Sequence, residues 1–183
     1  QQLEEAEPPG PRPTLYGTGG STAWWRSTFL ELGGFDPLLF PLYFEDVDLS
    51  YSGWRRGWLT VYEPRALFYH QDSVTVQRTR GTGWADRVKL RNRYLMSWKN
   101  LGDVALLTRS LRSWFFELRS TAKPEHRWKR RPLLEALARM PRTLARRWQL
   151  PAATVPDREI LPELLPGQVR AGLGRATPYP GDL

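Results

Sequence analysis

Gly33-Gly34-Phe35-Asp36-Pro37, Glu45-Asp46-Val47-Asp48-Leu49, Gly57-Trp58, Glu63-Pro64 and Tyr69-His70 follow one another within 38 residues. The stretch places three carboxylates in four residues and ends a strand-like run on a lone histidine. That combination suits proton transfer and a metal-bound phosphate better than it suits a core. A helix is predicted to start near Glu45, because its acidic first turn and its Arg55-Arg56-Gly57 end both complement the helix dipole. Trp58–Tyr62 and Ala66–Tyr69 read as short strands split by Glu63-Pro64. Upstream, Ser27 is placed to cap a short helix through Leu32, which Gly33-Gly34 would end.

Working outward, residues 1–14 form an acidic, Pro-rich extended lead-in, residues 15–80 read as a compact mixed α/β piece, and the domain it belongs to is expected to span residues 15–101. Asp72–Gly83 is polar with two glycines and reads as a loop. Helices are predicted over 84–101 and 103–121. In the second, Val104, Leu107, Leu111, Phe115 and Leu118 recur at helical spacing, with Arg109, Arg112 and Arg119 off that stripe. Pro124 breaks the pattern, and Leu133–Trp148 is a further amphipathic candidate interrupted by Pro141. Residues 102–150 thus form a basic amphipathic helical region, and the Pro/Gly-rich tail 151–183 is expected to be largely irregular.

Composition narrows the function. The 183 residues suffice for one ordinary core, and nine tryptophans make a packed one plausible. There is no run of 18 apolar residues, hence no candidate transmembrane helix, and no signal segment opens the chain. The absence of cysteine excludes disulfides, zinc–thiolate sites and a cysteine nucleophile, and is compatible with a reducing cytoplasm. The chain begins with Gln1 rather than Met, as a piece of a longer protein would. The net charge of +8 is concentrated in residues 101–150, which carry 12 Lys/Arg against four Asp/Glu. Such a segment expects an anionic partner.

Each candidate group has a plain reading beside a functional one. Glu45, Asp46 and Asp48 complement a helix dipole, or they supply a general base whose pKa is lifted by neighbouring carboxylates. His70 is a structural histidine or a ligand. Trp24 and Trp25 follow Gly19-Gly20-Ser21-Thr22 and are core residues, or rings on which the C–H face of a sugar stacks; Tyr43 and Phe44 carry the same two readings. Arg78 and Arg80 are solvated loop cations or close over a diphosphate. The basic segment interleaves its charges with Trp114, Phe115, Phe116, Trp128 and Trp148, which fits an interfacial helix on anionic lipid. Nucleic acid would need the same charges, but no binding motif is present and the acidic cluster would go unexplained. No nucleic-acid partner is expected.

The pairing of Gly-Gly-Phe-Asp with Glu-Asp-Val-Asp-Leu, a basic helix end and a strand ending in Tyr-His resembles family 2 glycosyltransferases of the GT-A fold, over about residues 15–100. The resemblance implies an α/β fold: the C-terminal, acceptor-side part of a Rossmann-like catalytic domain, followed by amphipathic helices. It implies that Asp46 is the base that deprotonates the acceptor hydroxyl, with Glu45 beside it shaping the pocket and Asp48 structural. Trp24, Trp25 and Phe44 would bind the acceptor. His70 would ligate a divalent metal (Mn or Mg), and Arg78 and Arg80 would meet the diphosphate. Asp46-Val47-Asp48 is spelled like the family's Asp-x-Asp metal motif but lies downstream of Gly-Gly-Phe-Asp and is not assigned as that motif. Ser52 stands where an Arg is common, and Ser52-Gly53 should weaken the helix behind Asp46 by roughly 1 kcal/mol. Arg91-Asn92 and Lys99-Asn100 resemble pairs that precede membrane-associated helices in bacterial members acting on lipid-linked glycans.

The expected function is transfer of a sugar from a nucleotide-diphosphate sugar to a hydroxyl of a cell-surface glycan or its lipid-linked precursor, with inversion. The expected location is cytoplasmic, peripheral on the inner face of the cell membrane. The nucleotide-binding half of such a domain is expected outside this chain. A second expectation follows from that: a non-catalytic module that binds acceptor or membrane.

Overall fold

The computed structural model describes residues 10–69, 81 and 83–161. In chain order these form β1 (Arg12–Pro13), α1 (Arg26–Glu31), α2 (Glu45–Trp54), β2 (Val61–Tyr62), α3 (Trp84–Asn100), α4 (Val104–Ser120), α5 (Arg130–Ala138), α6 (Met140–Gln149) and α7 (Asp157–Ile160), with 3-10 turns at Pro37–Leu39 and Pro124–Lys129. β1 and β2 pair antiparallel, Arg12 opposite Tyr62.

The molecule is organised around α3. From Val88 to Asn100 most of its side chains are buried, including Leu90, Tyr94, Leu95, Met96 and Trp98. A helix buried on nearly every side needs packing partners all round. α5 supplies Leu133 and Ala136, α6 supplies Met140, α2 supplies Tyr51 and Trp54, and the Pro37–Leu39 turn supplies Leu38 and Leu39. Arg147 on α6 closes the C-terminal end of α3, donating to the carbonyls of Trp98, Lys99 and Leu101. Those carbonyls have no partner within the helix, so the arginine replaces water there.

Residues 151–161, within the segment expected to be largely irregular, pack against this core. Tyr51 donates its hydroxyl to Asp157 at 2.7 Å, and the other Asp157 oxygen accepts the backbone N–H groups of Gly102 and Asp103. Ile160 is fully buried. Burial and the Asp157 charge push the Tyr51 hydroxyl pKa far above its ordinary value.

Several expectations are corrected. The described residues are mostly helical with a single two-stranded sheet, so the expected α/β character is confined to that ribbon. Of Trp58–Tyr62 only the last two residues pair as a strand, and Ala66–Tyr69 forms none. The cap of α1 is Trp25 rather than Ser27, and no side-chain hydrogen bond caps the helix there. Gly33 and Gly34 do end α1: both take positive φ (85° and 66°), and their N–H groups return to Leu30 and Phe29. Ser52-Gly53 does not interrupt α2, which runs through both to Trp54. Tertiary contact outweighs the glycine's intrinsic cost, because Gly53 is buried beside Leu32 and Trp58.

Candidate functional site

The acidic pair opens α2, and the chain enters that helix by an unusual route. Tyr43 and Phe44 both have positive φ, 71° and 73°. Two consecutive non-glycine residues in the left-handed region cost about 1–3 kcal/mol each, so surrounding structure must hold them. α3 supplies the hold. The Asn92 amide nitrogen reaches the carbonyls of Leu39, Leu42 and Tyr43 at 2.6, 2.9 and 2.8 Å. Arg91 donates to the Phe40 carbonyl at 2.8 Å, and its Nε orients Asn92 through the side-chain oxygen. The Tyr43 ring meets Trp84 at 6.4 Å and lies under the Lys89 ammonium at 4.8 Å.

Beneath the first turn of α2 lies a buried ionic network. Lys99 Nζ is 2.6 Å from Asp48 and 2.9 Å from Asp36. Asn100 donates to the other Asp48 oxygen at 2.6 Å. Asp36 also accepts the Leu38 N–H, and Arg146 approaches it at 3.6 Å. Burial alone would raise the Asp36 carboxyl, but Lys99, Leu38 and Arg146 together hold it below its ordinary value. At Asp48 burial dominates the pull of Lys99 and Asn100, and the carboxyl is raised. Asp36 belongs to Gly-Gly-Phe-Asp and Asp48 to Glu-Asp-Val-Asp. One lysine therefore ties together the two sequence elements on which the resemblance rests.

Asp46 faces the other way, toward the Gly17–Thr22 turn. Its Oδ2 accepts the Gly19 N–H at 3.1 Å and its Oδ1 the Val47 N–H at 2.8 Å. Gly17 donates to Ser50 one turn further along α2, and a side chain on Gly17 would collide with Thr22. The turn is thereby laid along the acidic end of the helix, and it leads directly into Trp24 and Trp25. Glu45 is half-buried, and its Oε2 has no hydrogen-bond partner among the described residues. Burial lifts its carboxyl above the ordinary value, its own N–H opposes this, and the Asp46 charge adds to the lift. The two neighbouring carboxyls thus have different surroundings: one desolvated, one held by backbone donors.

The other expected site residues are distributed as follows. Phe44 packs against the core while capping α2. Trp24 is partly buried, with its ring 6.5 Å from Phe29 in an edge-on contact, and Trp25 is largely exposed. His70, Arg78 and Arg80 lie outside the described residues. Among the described residues no group of three His, Cys, Asp or Glu side chains is arranged to hold a metal ion. Sequence reasoning missed the roles of Arg91, Asn92, Lys99 and Asn100 in this site. The available signal was two basic–Asn pairs on a helix otherwise rich in large apolar residues, which demands buried acceptors.

No family model and no solved structure matches the chain. A 75-residue stretch, 41% of the chain, is 37% identical to N-acetylglucosaminyl-diphospho-decaprenol L-rhamnosyltransferase of Mycobacterium tuberculosis, in strains CDC 1551 / Oshkosh and ATCC 25618 / H37Rv. The match covers 24% of the length of those relatives. The similarity supports a relationship to glycosyltransferases. No helix among the described residues is long and apolar enough to cross a membrane.

Proposed function

We propose that this chain is the acceptor-side part of an inverting glycosyltransferase of the GT-A type. It would move a sugar from a nucleotide-diphosphate donor to a hydroxyl of a lipid-linked glycan precursor, at the inner face of the cell membrane. The observation that carries this is the acidic pair Glu45-Asp46, presented at the start of α2 by a clamped turn beside a glycine-rich loop. Desolvation raises the Glu45 carboxyl, whereas the Asp46 carboxylate is positioned by two backbone donors, Gly19 and Val47. A carboxylate has about four acceptor positions, so Asp46 can hold Gly19 and Val47 and still take a proton. As the acceptor oxygen bonds to the anomeric carbon, its proton passes to Asp46 and the bond to the nucleotide diphosphate breaks from the opposite face. Trp24, Trp25 and Phe44 would bound the acceptor. A divalent cation, Mn or Mg, would neutralise the departing diphosphate, with His70 among its ligands and Arg78 and Arg80 nearby. The relatives' name supports an acceptor of the diphospho-polyprenol class carrying N-acetylglucosamine.

The test is transfer by the native polypeptide, given nucleotide sugars and an N-acetylglucosaminyl-diphospho-polyprenol acceptor. Asp46→Asn should lower kcat by about 10²–10⁴ with an unchanged circular dichroism spectrum. Transfer that survives nearly intact removes Asp46 from the role of base.

A further inference from the structure

The outer face of α4 is the feature that the catalytic reading leaves unused. α4 has no buried residue. Its inner edge, Leu107, Trp114 and Leu118, packs against the core, and Trp114 donates to the Leu133 carbonyl. Its outer edge carries Val104, Leu111 and Phe115 at spacings of seven and four residues, with Phe116 beside Phe115 at 6.1 Å. Val104 is 76% exposed, Phe116 59% and Phe115 49%. Apolar side chains this large, gathered on one helix face, mark a contact surface rather than scattered exposure.

The charges around that stripe identify what it contacts. Arg112 and Arg119 flank it within one helical turn, and Arg119 stacks on the Phe115 ring at 5.7 Å. Neither Arg109 nor Arg112 forms an ion pair among the described residues. The sole acid on α4, Glu117, is bound by Arg93 at 2.7 Å. The helix therefore presents an apolar stripe of Val104, Leu111 and Phe115, bordered on its solvent side by Arg112 and Arg119 with Phe116 beyond them. The other basic helices differ, because most of their arginines have partners within the chain. Arg131 pairs with Glu135, Arg139 donates to Leu38, Arg146 approaches Asp36, and Arg147 closes α3. An apolar stripe rimmed by guanidiniums matches a bilayer surface with acidic headgroups, where rings enter the acyl boundary and cations remain among phosphates.

We infer that α4 is the membrane-docking element, lying in the plane of an anionic leaflet with Val104, Leu111, Phe115 and Phe116 inserted and Arg109, Arg112 and Arg119 on headgroup phosphates. This rests on the proposed reading only for a reason to be at a membrane, since its physical basis is independent of any catalysis.

The experiment is co-sedimentation of the full chain with vesicles of phosphatidylcholine, alone or mixed equally with phosphatidylglycerol. Binding is expected to the mixed vesicles and not to the neutral ones, and to weaken as salt is raised. Phe115→Ser/Phe116→Ser should weaken it at least about tenfold, and Arg112→Gln/Arg119→Gln by about twenty-five-fold, some fivefold for each charge. All of these side chains lie outside the core, and unchanged near-ultraviolet circular dichroism checks that the variants fold. Several results would overturn the inference: equal binding to neutral vesicles, binding indifferent to both pairs of variants, or binding abolished instead by Trp148→Ser on α6. Self-association through α4 or capture by a DNA duplex, without vesicle binding, would overturn it equally. Sugar transfer is assayed separately with a water-soluble acceptor analogue. Loss of docking with transfer intact, or the reverse, shows which of the two readings has failed.

Discussion

Replacing Lys99 with methionine tests the foundation under the acidic pair. Methionine keeps the apolar stem and removes only the ammonium. Lys99 and Asp48 are 4% and 3% exposed, so water cannot take over the lost interaction. Removing one partner of a buried pair costs about 3–5 kcal/mol, because the remaining charge is left uncompensated. Here two carboxylates lose a partner, though unequally. Asp36 retains the Leu38 N–H and Arg146, whereas Asp48 retains only the neutral amide of Asn100. Most of the loss therefore falls on Asp48, and the structure points to about 3 kcal/mol. Urea unfolding followed by fluorescence of the buried Trp54 and Trp98 reads this as a lower midpoint with an unchanged slope. The pH dependence is a stricter check. Without Lys99 the folded-state pKa of Asp48, already raised above 3.8, rises further. A raised carboxyl penalises the folded state above its folded pKa, and the penalty vanishes as the pH falls toward the unfolded value. The Lys99→Met deficit should thus be full near neutrality and shrink toward pH 3.8. Adding Asp48→Asn should recover part of it. A neutral-pH loss below about 1 kcal/mol, or a deficit independent of pH, would refute the buried-network account.

Two further predictions concern the acidic end of α2. Asn92→Ala strips donors from three carbonyls and should cost about 2–3 kcal/mol. It should also speed amide exchange at Asp48, whose N–H bonds the Phe44 carbonyl, and unchanged exchange there would remove Asn92 from the clamp. In a carbon-13 NMR titration the Glu45 carboxyl should have its midpoint above 4.5, and Asp46→Asn should move that midpoint down by removing a like charge. A midpoint that stays or rises in the variant contradicts that coupling.

Local chemistry was legible in the sequence wherever one residue decided it. Gly33-Gly34 ended α1, Glu45 opened α2, Pro124 broke the helical run, and the limits of α3 and α4 fell within a residue or two of expectation. Trp58–Tyr62 and Ala66–Tyr69 read as strands, but only Val61–Tyr62 finds a partner, in Arg12–Pro13. Strands need neighbours, and a single sequence does not show who the neighbour is. The partner of Asp157 illustrates the same limit. Nothing in a tail rich in proline identifies Tyr51, 106 residues earlier, as the hydroxyl that fixes it.

The strongest case for a site at Glu45-Asp46 comes from how little of its geometry is set by α2 itself. Tyr43 and Phe44 take a conformation that glycine would adopt freely, yet neither is glycine. Phe44 needs its ring, because the ring packs on the core while the backbone turns. The strain is then held from α3, by Asn92 on the carbonyls before the turn and by Lys99 and Asn100 on Asp48 after it. Asn92 and Lys99 are seven residues apart and so lie on one face of that helix. A helix start with no catalytic or binding duty could begin on an ordinary polar cap without strain. Here two left-handed residues, a buried lysine and two buried asparagines all act to fix the direction of two carboxylates. Asp46 is thereby aimed at a glycine-rich turn rather than into the core. Stabilising interactions of this kind hold the start of α2 and Asp46 in position before any ligand arrives, as the base proposed above would require.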